Sequence, residues 1–192
     1  MKKIISTLVI TTVAMMGALP VMAQPTRAAS SGGNSPHETI SQTFDGARNN
    51  RVTITYGRPY SVKPGTTEVR KIWGGLVPYD KPWRMGADEA TLLITQKALV
   101  VGGKSIPNGV YVLYMIPSEA GASKLVFGVA VGGWGIPVDT KHDFAQVELT
   151  KTALDKPVDQ FTMAIDKNPD GGGVLKLSWE STQFSVPFTV AK

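Results

Sequence analysis

Residues 51–56, Arg-Val-Thr-Ile-Thr-Tyr, place Val52, Ile54 and Tyr56 on one side of an extended chain and Thr53 and Thr55 on the other. The same two-residue period returns in Ala145, Val147 and Leu149, in Phe161, Met163 and Ile165, in Leu175, Leu177 and Trp179, and in Phe184, Val186, Phe188 and Val190. Successive side chains of a strand point to opposite faces, so this period predicts strands with one face on a core and one toward water. No window carries a helical stripe longer than two turns. Segments 110–117 and 124–131 are apolar on both faces, which suits strands in the middle of a sheet and covered on both sides. Residues 118–123 read as the hairpin loop between them, and Gly102-Gly103 and Asn108-Gly109 punctuate a second hairpin. About eight or nine short strands at this spacing predict an all-β, single-domain β-sandwich or jelly roll. Pro187 has no amide to donate, so the last strand is expected at an edge or bulged.

One stretch breaks the rhythm. From Arg58 to about Glu89 there is little strand signal, yet Pro59, Pro64, Pro78 and Pro82 fall there with Ile72, Trp73, Leu76, Val77 and Trp83. A loop of that length in a compact domain is usually functional or packed by its own side chains, and its apolar content argues against disorder. It is expected to be an ordered flap lying on the sandwich.

The chain opens with Met1-Lys2-Lys3 and an apolar run from Ile4 to Met22, with a small-residue cleavage site after Ala23. That is the pattern of a signal peptide over 1–23, with a periplasmic or secreted destination. An uncleaved anchor is the alternative, because the run approaches the length of a spanning helix. After cleavage 192 − 23 = 169 residues remain, and losing Lys2 and Lys3 lowers the formal charge from +5 to +3. No later segment is apolar enough to span a bilayer. The basic residues are scattered rather than clustered, which argues against nucleic acid as a partner. The absence of cysteine excludes thiolate catalysis and thiolate metal sites. Residues 24–37, rich in Ser, Gly and Ala, read as a flexible leader before a domain at 38–192.

Three stretches carry a resemblance: 71–94, with Gly-Gly-Leu-Val-Pro-Tyr and then Trp-Arg-x-Gly-Ala-x-Glu-Ala-Thr; 101–117, with Gly-Lys-x-x-Pro-x-Gly-x-Tyr; and 177–188. Together they resemble the secreted bacterial family known as domain of unknown function 2911, over roughly residues 37–190. The family pattern commonly has Asn where this chain has Asp88. The resemblance implies no particular activity.

The candidate site gathers at the flap. Arg84 and Glu89 lie close enough in the chain to meet, and a guanidinium offers a planar fork that a carboxylate can fill. Either Glu89 pins Arg84 and so fastens the flap, or it orients Arg84 toward a ligand. Arg58, with Tyr56 and Tyr60 as neighbours, would add a second cation. Among the aromatics, Trp83 and Trp134 sit in loops beside Gly or Pro and are the better ligand candidates, whereas Trp73 and Trp179 suit core packing. A binding site would therefore use Arg84, Glu89, Arg58, Trp83, Tyr56 and Trp134, for a saccharide, an envelope component or another small polar ligand. Two other classes stay open: an envelope interaction module recruiting a partner by strand addition, and a hydrolase pairing Glu89 with a second carboxylate such as Glu180. No metal or cofactor is expected. Asp166, Asn168, Asp170 and Gly171 begin like a calcium loop, but Leu177 stands where its bidentate Glu belongs. His37 and His142 have no zinc-site spacing.

Overall fold

In this computed structural model, residues 26–29, 35–46 and 48–191 are described. The segment read as a signal peptide lies outside them. Among the described residues there is no helix. Ten strands form: β1 (Thr26–Ala29), β2 (His37–Thr43), β3 (Arg51–Gly57), β4 (Thr91–Thr95), β5 (Leu99–Val101), β6 (Lys104–Ile106), β7 (Gly109–Ile116), β8 (Ser123–Gly128), β9 (Asp143–Lys167) and β10 (Gly173–Val190). They hydrogen-bond in the order β1-β2-β3-β4-β7-β8-β9-β10-β5-β6, and every neighbouring pair is antiparallel. Within the stretch read as a leader, β1 pairs along β2.

The long strand β9 closes the core. Its residues up to Leu149 pair with β8, and from Thr150 onward it pairs with β10. The pairing network thereby folds over on itself. Val52, Ile54 and Phe127 from one half and Leu99, Ile165 and Val186 from the other line one small apolar cavity, so the halves face each other. The alternating residues do what their period requires: Val52, Ile54 and Tyr56, then Phe161, Met163 and Ile165, are all buried. Burying a side chain of this size contributes roughly 1.5–3 kcal/mol, and the chain has no disulfide to assist.

Two local expectations need correction. The apolar run 124–131 does not stay in strand: β8 ends at Gly128, and Val129 and Val131 are exposed. Strand β10 is not an edge, since it lies between β9 and β5, but it is bulged: its register with β9 shifts between Ser178 and Glu180 and again between Glu180 and Thr182. Pro187 is accommodated because pairing with β9 ends at Ser185 and pairing with β5 begins at Phe188.

The flap between β3 and β4 is ordered against the sheets. Ile72, Val77 and Met85 are fully buried. Trp83 exchanges backbone hydrogen bonds with Met115 of β7 (2.8 and 2.9 Å), beyond the point where β4 stops pairing. Ser61 donates to the Asp159 carbonyl (2.7 Å) and Phe161 donates to that of Pro59 (2.9 Å), which ties the flap to β9. Its far end presses on β3: a Cβ at Gly57 would overlap the Ala87 carbonyl oxygen, so only glycine admits that approach.

Candidate ligand-binding site

Tyr56 and Arg58 are both tied to β9 by hydrogen bonds. The Tyr56 hydroxyl donates to Glu38 Oε2 and accepts from the Met163 amide (2.8 Å), joining β2, β3 and β9 inside the core. Burial, reinforced by the hydrogen bond to Glu38, pushes the Tyr56 hydroxyl well above the usual tyrosine value. Arg58 donates through Nε to the Phe161 carbonyl (3.1 Å) and through Nη2 to Thr162 Oγ1 (2.8 Å), with Glu38 Oε2 3.6 Å from Nε. Glu38, which sequence reasoning missed, is the buried acid that organises both. Its register position opposite Tyr56 follows from the β2–β3 pairing, which no short-range motif announces.

Trp83 belongs to an aromatic cluster. It stacks on Trp179 (centroids 5.7 Å, 22° between planes) and meets Trp73 and Phe161 edge to face. One rim of it stays open, where it lines a cavity with Pro59, Leu76, Trp179 and Arg84.

Arg84 and Glu89 do not form the expected pair. Met85 and Asp88 both take the left-handed conformation (φ 55 and 63), which turns the chain between them. Glu89 instead contacts His37 Nε2 at 2.7 Å. Hydrogen bonding by its own backbone amide and then by His37 holds the Glu89 carboxyl below the usual range. Asp, like Asn, tolerates the left-handed region, which suits Asp88 to that turn. Met does not, and backbone strain of this kind, about 1–3 kcal/mol per residue, concentrates at functional sites.

Arg84 is left between two cavities. One, about 340 Å³, opens under the flap and includes Trp83, Trp179, Arg70 and Asp88. The other, about 220 Å³, lies on the outer face of the sheet, with Val112 and Tyr114 of β7 as floor and residues 130–139 as cover. Arg84 and Ile136 line both. Nη1 of Arg84 is buried with no hydrogen-bond partner. Burial lowers the pKa of the guanidinium, and the charges of Asp88 and Glu89 pull it back up. Trp134 lies over the guanidinium, its ring centroid 5.8 Å from Cζ, while remaining 55 % exposed.

The covering loop, residues 129–142, was legible only through Trp134. It sits tight against the flap: Ala90 donates to the Gly133 carbonyl (3.4 Å), and a Cβ at Gly135 (φ 81) would stand 3.2 Å from Cβ of Arg84. Tyr114 donates to Asp143 Oδ2 (2.7 Å) at the base of the loop; burial, then that bond, raises its pKa. Asp139 is held by His142 Nδ1 (2.8 Å) and the Lys141 amide (2.9 Å), which lower its pKa, His142 the more.

The calcium-like segment is a hairpin turn in which Asp166 pairs with Lys176 Nζ at 2.7 Å. Among the described residues no three His, Cys, Asp or Glu side chains cluster as a metal site, and no helix is long and apolar enough to cross a membrane.

No curated protein and no solved structure matches the chain. Residues 35–188 match the family described as protein of unknown function (DUF2911), and the chain belongs to that family.

Proposed function

We propose that the chain is an exported, non-catalytic binding module that takes a small ligand at the junction built around Arg84. The observation that carries this reading is the state of that guanidinium. It stands between two cavities with Nη1 buried and unpartnered, while the nearby Glu89 is engaged elsewhere. An unsatisfied buried donor is rare in native proteins and calls for a partner. The open rim of the Trp83–Trp179 pair adds an aromatic wall of the kind small-ligand sites use.

The other classes have less support. The terminal strands in the pairing order, β1 and β6, are only four and three residues long, which gives strand addition little template. None of the three cavities around residues 84–90 is lined by two acids, as a two-carboxylate hydrolase requires.

The test is a thermal-shift screen of the mature chain, starting at Gln24, and of Arg84→Ala against sugars, nucleotides, short carboxylates and envelope fragments. A stabilising hit lost in the variant supports the site. No shift with any compound, or hits indifferent to Arg84, overturns it. Export is tested separately by the intact mass of the protein recovered from the periplasm, which should begin at Gln24.

A further inference from the structure

Resting on that reading, we propose that the cavity beneath the 129–142 loop takes a small amphipathic monoanion, an apolar body carrying one carboxylate, seated with the carboxylate on Arg84. Three ionisable side chains line this cavity: Arg84, Tyr114 and Asp139. The Tyr114 hydroxyl already donates to Asp143, and Asp139 already accepts from His142 and the Lys141 amide. Of the three, Arg84 is the one with a buried donor unmet. One unmet cationic donor calls for one anionic acceptor. The neighbouring Asp139 carboxylate disfavours a dianion such as phosphate.

Apolar side chains supply much of the remaining lining, beside backbone groups of the loop. Val131, Ile136 and Trp134 line the cavity and are 49 %, 64 % and 55 % exposed, so an apolar ligand body would remove them from water. A saccharide would set hydroxyls against these side chains, which offer them no partner. The volume of about 220 Å³ lies below the roughly 300–1,000 Å³ of drug-sized sites, which restricts the occupant to fragment size.

Access follows from the cover. The Trp134 ring lies 5.8 Å from Cζ of the guanidinium, whose in-plane N–H edge is the one a carboxylate uses. Nη1 is closed to solvent in the free chain. Seating the anion therefore requires a side chain around Nη1 to give way, and Trp134, beside the guanidinium and more than half exposed, is the candidate.

The experiment is a ¹H–¹⁵N titration with phenylacetate, with its neutral counterpart phenylacetamide, and with maltose. The Trp134 indole resonance, one of four tryptophans, is assigned from Trp134→Phe. Phenylacetate should shift the Trp134 indole and the amides of 130–138 saturably. Phenylacetamide and the Arg84→Gln variant should bind at least about tenfold more weakly, the scale of a lost hydrogen bond to a charged group. Equal binding of acid and amide, or undiminished binding by Arg84→Gln, overturns the proposal. Shifts with maltose but not phenylacetate overturn the ligand class and leave the binding reading standing. No shift with any of the three overturns both.

Discussion

Arg84→Met separates a guanidinium kept for binding from one kept for stability. Methionine retains most of the apolar stem and removes the charge. In the structure Nη1 is buried without a partner, and an unsatisfied buried donor costs about 1–3 kcal/mol. Removing it returns that amount. Against this stand the contact with Trp134, about 0.5–1 kcal/mol at an exposed site, and a water-screened attraction to Asp88 of about 0–1 kcal/mol. The net change in unfolding free energy lies between about −1 and +2.5 kcal/mol, near neutral or stabilising. Had Arg84 been one half of a buried ion pair, as its spacing from Glu89 suggests, the same change would cost about 3–5 kcal/mol. Urea unfolding followed by tryptophan fluorescence, with wild type and variant extrapolated at equal slope, measures the difference. A loss of 3 kcal/mol or more would refute the reasoning, because Arg84 would then be holding the flap down.

Three further outcomes follow from particular contacts. Gly57→Ala drives a methyl into the Ala87 carbonyl and should destabilise by about 2 kcal/mol or more, at the upper part of the overpacking range, read as a fall in melting temperature. Glu38→Ala leaves the Tyr56 hydroxyl and the Arg58 guanidinium without their carboxylate and should cost about 3 kcal/mol, the low end for a broken buried pair because Arg58 keeps its bonds to Phe161 and Thr162. The Asp139 carboxyl should titrate below the ordinary aspartate range by ¹³C NMR, and His142→Ala should move it back up. A depressed folded-state value means that this contact supports the fold above the unfolded aspartate value and loses that contribution as pH falls through the folded one.

How far the residues announce the structure depends on the range of the interaction. Val52, Ile54 and Tyr56, or Leu175, Leu177 and Trp179, declare their faces because a strand's period is local, and all six are buried. The flap was legible for the same reason: Ile72, Val77 and Trp83 are too apolar to stay in water. The Arg84–Glu89 pair failed because two left-handed residues, Met85 and Asp88, lie between them, and side-chain reach along an extended chain does not anticipate that turn. The partners of Tyr56 and Arg58 were not legible because they are Glu38, a register neighbour, and Met163, Phe161 and Thr162, about a hundred positions away. The loop 129–142 has no period at all. Its length without strand structure and the Gly-Gly-Trp-Gly run within it were the signals available, and only Trp134 was drawn from them.

The central claim is that an anion completes Arg84. The Nε–Hε cross-peak of Arg84, followed during titration with phenylacetate, tests it most directly. The account predicts a saturable shift that tracks the Trp134 indole and is absent with phenylacetamide at the same concentrations. A cross-peak that stays fixed while phenylacetate, maltose and the wider panel are added would contradict it.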